Sequence, residues 1–175
     1  MTSSSKSRRI IIGIDPGTRI TGYGIIAVSG NSMTPLDFGC IRPPPKALLS
    51  DRYLIIHEAV EALLDEFQAD EMAIETQFVH KNVQSALKLG IALGVPLISA
   101  KKRGMRVFGY SPTAVKCAIT GTGKAGKSHV QGSVARFLSL KQYPEPEDAA
   151  DALAIAICHA HTMDNVILAT RAKEL

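Results

Sequence analysis

The sequence predicts a single α/β domain with a central mixed five-stranded sheet flanked by helices. Three apolar segments follow one another near the N-terminus, and two more alternate with helical segments further along. At 175 residues the chain has the size of one domain, and 46% of its residues are hydrophobic but only 5% aromatic. This composition is typical of an ordinary globular interior and excludes a disordered or fibrous chain.

The first three strands are expected to form a meander. "RIIIGID" is an unbroken apolar run that ends at Asp15, which predicts a buried strand. "YGIIAVSG" and "MTPLDFGCI" predict two further strands joined by a turn at residues 29–32. The chain therefore opens with consecutive strands before any helix.

The rest of the chain alternates helices with two more strands. A helix capped by Ser50 is predicted to bury Ile56, Val60, Leu63, Leu64 and Phe67. "EMAIE" predicts a central strand ending at Glu75, and a helix from Asn82 is expected to end or kink at Pro96. "RVFGY" predicts the fifth strand, and "SPTAVKCAI" a helix capped by Ser111. "HVQGSVARFL" and "EDAADALAIAICHAH" predict the last two helices.

Charge and cysteine content limit the possible functions. The net charge of +4 and the pI near 9.0 favour polyanionic partners such as nucleic acids. Cys40, Cys117 and Cys158 are odd in number and widely spaced, which predicts neither a disulfide framework nor a zinc site. No apolar run approaches the roughly 20 residues of a membrane span. We therefore expect a cytoplasmic protein with no membrane association.

Four carboxylates form the strongest candidate site. Asp15 and Glu75 end predicted strands, where reactive groups lie in open α/β folds. Asp148 and Asp151 are three residues apart and share a helix face, although acids at a helix start often only cap it. A carboxylate cluster without His or Cys suits Mg²⁺. Two such ions roughly 3.5–4 Å apart can activate a water and stabilise the leaving oxygen of a phosphodiester.

A glycine-rich loop, "GTGKAGKS" at residues 121–128, fits the nucleotide-binding pattern G-x-x-x-x-G-K-[ST]. That motif requires a buried strand before the loop and a helix after it. Here the preceding segment predicts a helix, and no strand ending in Asp follows the loop. We therefore expect no nucleotide cofactor and a different phosphate ligand.

Three segments carry a resemblance to a known family. "IGIDPGTRITGYGII", "AIETQFVHKNVQSALKLG" and "EDAADALAIAICHAH" resemble, in order and spacing, the RuvC Holliday-junction resolvases. The resemblance implies a ribonuclease H-like nuclease domain at residues 10–165, between an N-terminal tail (1–9) and a C-terminal tail (166–175). It also implies a homodimer that resolves four-way DNA junctions by paired symmetric nicks in strands of like polarity, in homologous recombination and DNA repair. Mg²⁺ is the implied cofactor, for which Mn²⁺ can substitute, and the RuvA–RuvB branch-migration complex is the implied partner.

The resemblance also implies roles for individual residues. Some members have His where this chain has Asp148. Phe78 is similar to the aromatic that stacks on junction bases near the cut, and Lys116 and Lys127 are similar to lysines that bind DNA phosphates. The positions similar to the family's catalytic acids, which hold one or two metal ions per subunit, are Asp15, Glu75, Asp148 and Asp151.

Two surfaces have alternative interpretations. The helix from Asn82, with Ala86, Leu89 and Gly90, is the expected dimer surface, although core packing would explain the same residues. The basic run at residues 101–106 is either a DNA-facing surface or a solvated turn.

Two other protein classes remain as alternatives. "GIDPGT" also resembles the first phosphate loop of sugar kinases and actin-like ATPases. Those proteins need two lobes, and this chain has room for one. A non-catalytic nucleic-acid binder on a decayed nuclease fold is a third possibility, and the presence of all four acids argues against it.

Overall fold

The computed structural model describes residues 8–76, 82–164 and 173–175, in which one sheet is covered by helices on both faces. The strands are β1 (Arg9–Asp15), β2 (Thr21–Ser29), β3 (Ser32–Ile41), β4 (Glu71–Glu75), β5 (Arg106–Tyr110) and β6 (Lys173–Glu174). The helices are α1 (Leu49–Phe67), α2 (Val83–Lys102), α3 (Pro112–Thr120), α4 (Lys127–Phe137) and α5 (Glu147–Asp164). The spatial strand order is β3-β2-β1-β4-β5-β6.

The sheet is mixed, as predicted. β1, β2 and β3 form the antiparallel meander, and β4 and β5 run parallel to β1. The prediction of five strands is wrong by one, because β6 pairs antiparallel with β5 through Gly109 and Lys173. A two-residue strand is too short to show the alternation that predicts a strand from sequence. β6 is recognised only from its pairing with the edge of β5. The division into a tail, a domain of residues 10–165 and a second tail stays a prediction.

Two hydrophobic layers lie on opposite faces of the sheet. Side chains alternate along a strand, so Ile11 packs with α3, α4 and α5 while Ile12 and Ile14 pack with α1 and α2. Gly13 lies against α5 on the same face as Ile11. By the same alternation, Asp15 at the end of β1 is directed to the α5 face.

The predicted inward face of α1 is confirmed, whereas its predicted cap is wrong and a helix end at Pro96 does not occur. Ile56, Val60 and Leu64 are fully buried, and Leu63 and Phe67 pack partly buried against the same cluster. Leu48, rather than Ser50, is the N-cap residue, and no side chain caps this end. Of the two outcomes predicted at Pro96, an end or a kink of α2, the end does not occur, because the turn beyond the buried Pro96 packs two fully buried residues, Ser99 and Ala100.

α2 also presents apolar side chains to solvent. By length and composition alone, α2 is long and apolar enough to cross a membrane. Of its most apolar 18-residue segment, 22% is buried in the fold. Lys88 interrupts the apolar sequence, and α2 packs against α1 and β5. Its exposed large apolar side chains are Val83, Leu87, Ile91 and Ile98.

Candidate active site

Close contact between α5 and the sheet sets the position of the helical carboxylates. A Cβ atom at Gly22 would overlap the carbonyl of Asp148, and one at Gly13 would overlap the carbonyl of Ala152. Gly22 is also the cross-strand neighbour of Asp15. The absence of side chains at these glycines therefore lets the first turn of α5 lie directly beside the end of β1.

All four predicted acids and both predicted lysines line one cavity. β1 and β4 are parallel, so Asp15 and Glu75 lie at the same edge of the sheet. The cavity has a volume of about 450 Å³. Phe78 lies outside the described residues, so its position and its role stay predictions. The cavity lining is Asp15, Glu75, Pro112, Val115, Lys116, Lys127, Val130, Asp148, Asp151 and Ala154.

The cavity disfavours negative charge on its own carboxylates. Burial, followed by the negative charges of Glu75, Asp151 and Asp148, raises the pKa of Asp15 to about 8, while Lys127 acts in the opposite direction. The pKa of Asp151 is also raised, mainly by burial, against the lowering effect of Lys127. Crowded acids raise one another's pKa in this way, and a bound cation would offset the repulsion.

The donor atoms of the cavity fit a hard divalent cation. Among the described residues that line it, the side chains that could bind a metal ion are all carboxylates, and Mg²⁺ prefers such oxygen ligands. Within residues 8–76, 82–164 and 173–175, no three His, Cys, Asp or Glu side chains form a ready-made metal-binding group. The four acids therefore share a cavity without being drawn tightly around one point.

The glycine-rich loop connects two helices, α3 and α4. α3 begins at Pro112 with the predicted cap, since the Ser111 hydroxyl accepts a hydrogen bond from the Ala114 amide at 3.2 Å. α3 ends at Gly121, whose φ of 78° is in the left-handed region, and α4 begins at Lys127. A helix rather than a buried strand directly precedes the loop, as predicted, and the absence of a nucleotide ligand stays a prediction.

The two lysines approach the acids from different helices. Lys116 projects from α3 and Lys127 from the first position of α4. The Lys127 ammonium lies 2.5 Å from Glu147 Oε1, and this contact is the main cause of the raised pKa of Lys127. Glu147, the first residue of α5, was not among the site residues predicted from the sequence.

The apolar lining was also missed, although helical spacing could have revealed it. Ala154 follows Asp151 by three residues, as Val130 follows Lys127. Residues three apart share a helix face, so each charged residue predicts an apolar neighbour on the cavity wall. This spacing identifies cavity-lining residues only when it is known that α3, α4 and α5 surround the same cavity.

The basic run at residues 101–106 lies at the other end of the sheet and is paired with acids. Arg103 contacts Glu61 at 2.6 Å and Asp65 at 2.5 Å. Arg106, which begins β5, pairs with Glu71 at the start of β4, whereas Glu75 at the cavity ends β4. The run therefore lies away from the cavity, and both interpretations of it, a DNA-facing surface and a solvated turn, stay predictions.

Comparisons with known proteins agree on one family. Residues 11–159 match the family model described as crossover junction endodeoxyribonuclease RuvC. The RuvC protein of Protochlamydia amoebophila is 56% identical over 151 residues, covering 86% of this chain and 90% of that protein. The RuvC protein of Marinobacter nauticus is 46% identical over 162 residues, covering 93% and 91%.

The fold comparison gives the same result. The structure of Thermus thermophilus RuvC in complex with a Holliday junction substrate superposes with a TM-score of 0.86 at 35% sequence identity. The match covers 95% of this chain and 99% of that one. The predicted ribonuclease H-like fold is thereby confirmed, and the family implies a nuclease that depends on a divalent metal. The chain belongs to the RuvC family of crossover junction endodeoxyribonucleases.

Proposed function

We propose that this protein is a Mg²⁺-dependent, structure-specific endonuclease that resolves four-way DNA junctions. It makes paired symmetric nicks in strands of like polarity, in homologous recombination and DNA repair. The observation that carries the proposal is the cavity in which Asp15, Glu75, Asp148 and Asp151 meet Lys116 and Lys127. Further support comes from T. thermophilus RuvC, which is 35% identical and was solved with a Holliday junction substrate.

The four carboxylates are the proposed ligands of the metal. They would hold one or two Mg²⁺ ions per subunit, and Mn²⁺, which also accepts oxygen ligands, can substitute. When bound, the metal polarises the scissile phosphate and lowers the pKa of the attacking water. The raised pKa of Asp15 supports this assignment, because a cation among the acids removes the cost of ionising them.

The basic and aromatic residues are proposed to hold DNA. Lys127 and Lys116 would bind phosphate oxygens at the mouth of the cavity, where both lower the pKa of Asp151. Phe78 would stack on a base next to the cut, since an aromatic face binds any unpaired base. Gly126, which is exposed at the start of α4, leaves the backbone open to approach by a phosphate.

The exposed side of α2 is the proposed dimer surface. Val83, Leu87 and Ile91 recur every fourth residue and lie on one side of the helix, largely exposed. A Cβ at Gly90 would meet nothing within 4 Å, so a second helix has room to approach closely. A two-fold dimer would present two equivalent cavities to the two equivalent strands of a junction. We further propose a cytoplasmic location and cooperation with a RuvA–RuvB complex, both on family grounds.

Cleavage of a synthetic four-way junction in Mg²⁺ tests the proposal. We expect paired nicks with the wild-type protein and a loss of at least roughly 10²–10³-fold in Asp15→Asn and Glu75→Gln, because each loses a metal ligand. Asp51→Asn is the matched control, since Asp51 is exposed in the first turn of α1. It should cut at the wild-type rate.

Three other outcomes would contradict parts of the proposal. Junction binding without nicking by the wild-type protein would indicate a non-catalytic binder. Equal cutting of linear duplex would remove the junction specificity. ATP hydrolysis that disappears in Lys127→Ala would restore the nucleotide-binding interpretation of residues 121–128.

A further inference from the structure

An ion pair joins the first residues of two helices at the edge of the cavity. Lys127 begins α4 and Glu147 begins α5, and the Lys127 Nζ atom lies 2.5 Å from Glu147 Oε1. The Lys127 side chain is 73% exposed and that of Glu147 is 41% exposed. The Oε1 atom itself is nevertheless shielded from solvent, and the described part of the chain offers it no polar partner other than the Lys127 ammonium. Its stabilisation is therefore mainly that of an ion pair with the Lys127 ammonium.

The two partners face different spaces. Lys127 lines the cavity that contains the four acids, and Glu147 does not. Glu147 instead lines a neighbouring, more open cavity of about 600 Å³, together with Cys40, Arg42 and Gln131 among others. Glu147 thus holds the ammonium from outside the carboxylate cavity and leaves the side of Lys127 that faces the acids available.

A lysine needs such a partner if it is to act at a defined point. Its four-carbon side chain carries about 2 kcal/mol of rotamer entropy, and its compact ammonium has no preferred direction. An exposed lysine would otherwise lose that freedom only when the phosphate arrives. A fixed carboxylate beside it removes part of this cost beforehand, as residues behind other active-site groups do.

We propose that Glu147 is a positioning residue that holds the Lys127 ammonium at the mouth of the carboxylate cavity for contact with the scissile phosphate. The inference rests on the proposed nuclease function and on the proposed role of Lys127. Electrostatic attraction to DNA acts in the opposite direction, because Glu147 adds a negative charge where a polyanion binds. Positioning and simple charge repulsion therefore predict different results for the same substitution.

Junction affinity and single-turnover nicking in Mg²⁺ should be measured separately for Glu147→Ala. We expect the nicking rate to fall roughly tenfold, the scale of losing a group that orients a catalytic one. The dissociation constant for the junction should stay constant or decrease, because one repulsive charge is gone. Glu147→Gln keeps an oxygen that can accept from the ammonium and should recover part of the rate. A nicking rate equal to or above that of wild type in Glu147→Ala would overturn the proposal.

Glu145→Ala is the matched control. Glu145 lines the same neighbouring cavity two residues earlier, and no ion pair involves it within the part of the chain that the structure describes. The substitution removes the same charge from nearly the same place. It should leave the nicking rate unchanged, and a tenfold fall there would overturn the specific role of Glu147.

A double-mutant cycle tests whether Glu147 acts through Lys127. In a Lys127→Ala background, the further change Glu147→Ala should have no effect on the rate. A second tenfold loss would show that Glu147 acts by another route and would overturn the inference. The Asp15→Asn variant distinguishes a failure of the proposed nuclease function from a failure of the proposed role of Glu147. If it nicks at the wild-type rate, the nuclease site itself is wrong, whereas an inactive Asp15→Asn beside a fully active Glu147→Ala contradicts the positioning role alone.

Discussion

β4 carries a glutamate at each end, and the two ends differ in which groups surround the acid. Glu71 and Glu75 both lie on the face covered by α5, because they are separated by an even number of residues. Glu71 is only 3% exposed, and its Oε2 atom lies 3.1 Å from His159 Nε2 and 3.6 Å from Arg9 Nε. Arg106 pairs with the other oxygen. At this end a buried acid has cationic partners.

The surroundings determine which protonation state each end favours. Burial of Glu71 alone would raise its pKa, but the hydrogen bond and charge of His159 and the charges of Arg9 and Arg106 lower it overall. At the other end of the same helix–sheet contact, burial and three neighbouring acids raise the pKa of Asp15 to about 8. The group around Glu71, at the start of β4, stabilises the fold. The group around Asp15 and Glu75, at the ends of β1 and β4, destabilises it unless a cation binds.

One helix serves both ends. His159 follows Asp151 by eight residues on α5, which corresponds to about 12 Å along a helix that rises 1.5 Å per residue. Tyr110 completes the structural end, since its hydroxyl lies 2.6 Å from His159 Nδ1. We infer that the ion-paired end holds α5 in place while the acidic end supplies the chemistry. The following predictions test this contrast in order of expected effect.

Glu71→Gln should destabilise the fold by about 3 kcal/mol at pH 7, because it leaves the buried His159 ring and the partly exposed Arg9 and Arg106 without the acid that they contact. The pKa of Glu71 is lowered from 4.5, so its stabilising contribution is present above that value and is lost as the pH falls through the lowered pKa. The difference from wild type, measured by urea unfolding, should therefore shrink in acid. Glu58→Gln, an exposed change on α1, is the control. A Glu71→Gln protein as stable as wild type at pH 7 would contradict a structural role for this end.

Mg²⁺ should stabilise the wild-type protein and not Asp15→Asn. At a metal concentration 100 times the dissociation constant, the gain is about 2.7 kcal/mol. For a domain of this size, that gain corresponds to a rise in Tm of roughly 5–10 °C. Glu71→Gln should keep the full gain, because its substitution lies at the other end of α5. Equal stabilisation of Asp15→Asn would place the metal elsewhere.

Asp15→Asn should be more stable than wild type in EDTA at pH 8, by about 1–2 kcal/mol. A pKa shift corresponds to 1.36 kcal/mol of stability per unit, which would give a larger value for Asp15. We expect less than that limit, because the neighbouring acids titrate together with Asp15 and the repulsion does not belong to Asp15 alone. The pKa of Asp15 is raised from 3.8 to about 8, so its favourable contribution is complete below pH 3.8 and is lost as the pH rises to about 8. The advantage of Asn should thus vanish near pH 4 in urea titrations. A less stable Asp15→Asn at pH 8 would show that Asp15 has a stabilising partner.

Much of the fold could be predicted because its signals are local. The apolar run of β1, the inward face of α1 and the cap at Ser111 are each readable within a few residues. The failures occurred where a distant contact decided the outcome. β6 exists because the edge of β5 accepts it, and the helix end that was one of two outcomes predicted at Pro96 does not occur because Ser99 and Ala100 beyond it are buried.

The candidate site follows the same division. Strand ends and helical spacing predicted Asp15, Glu75, Asp148 and Asp151, since residue type and position within an element are properties of the sequence. The ion pairs of the basic run could not be predicted, because the partner of Arg103 is Glu61 of another helix.

The sequence alone determined the order of five strands and five helices, the family motifs and the chemical type of the site, because periodicity and residue type act over short distances. Only the tertiary structure decided which charges meet. Close packing at Gly13 and Gly22 brings α5 against the sheet. That contact gives Asp15 acidic neighbours, gives Glu71 cationic ones, and brings Glu147 within reach of Lys127. Electrostatic effects depend on distance and burial, which residues far apart in the chain acquire only when it folds.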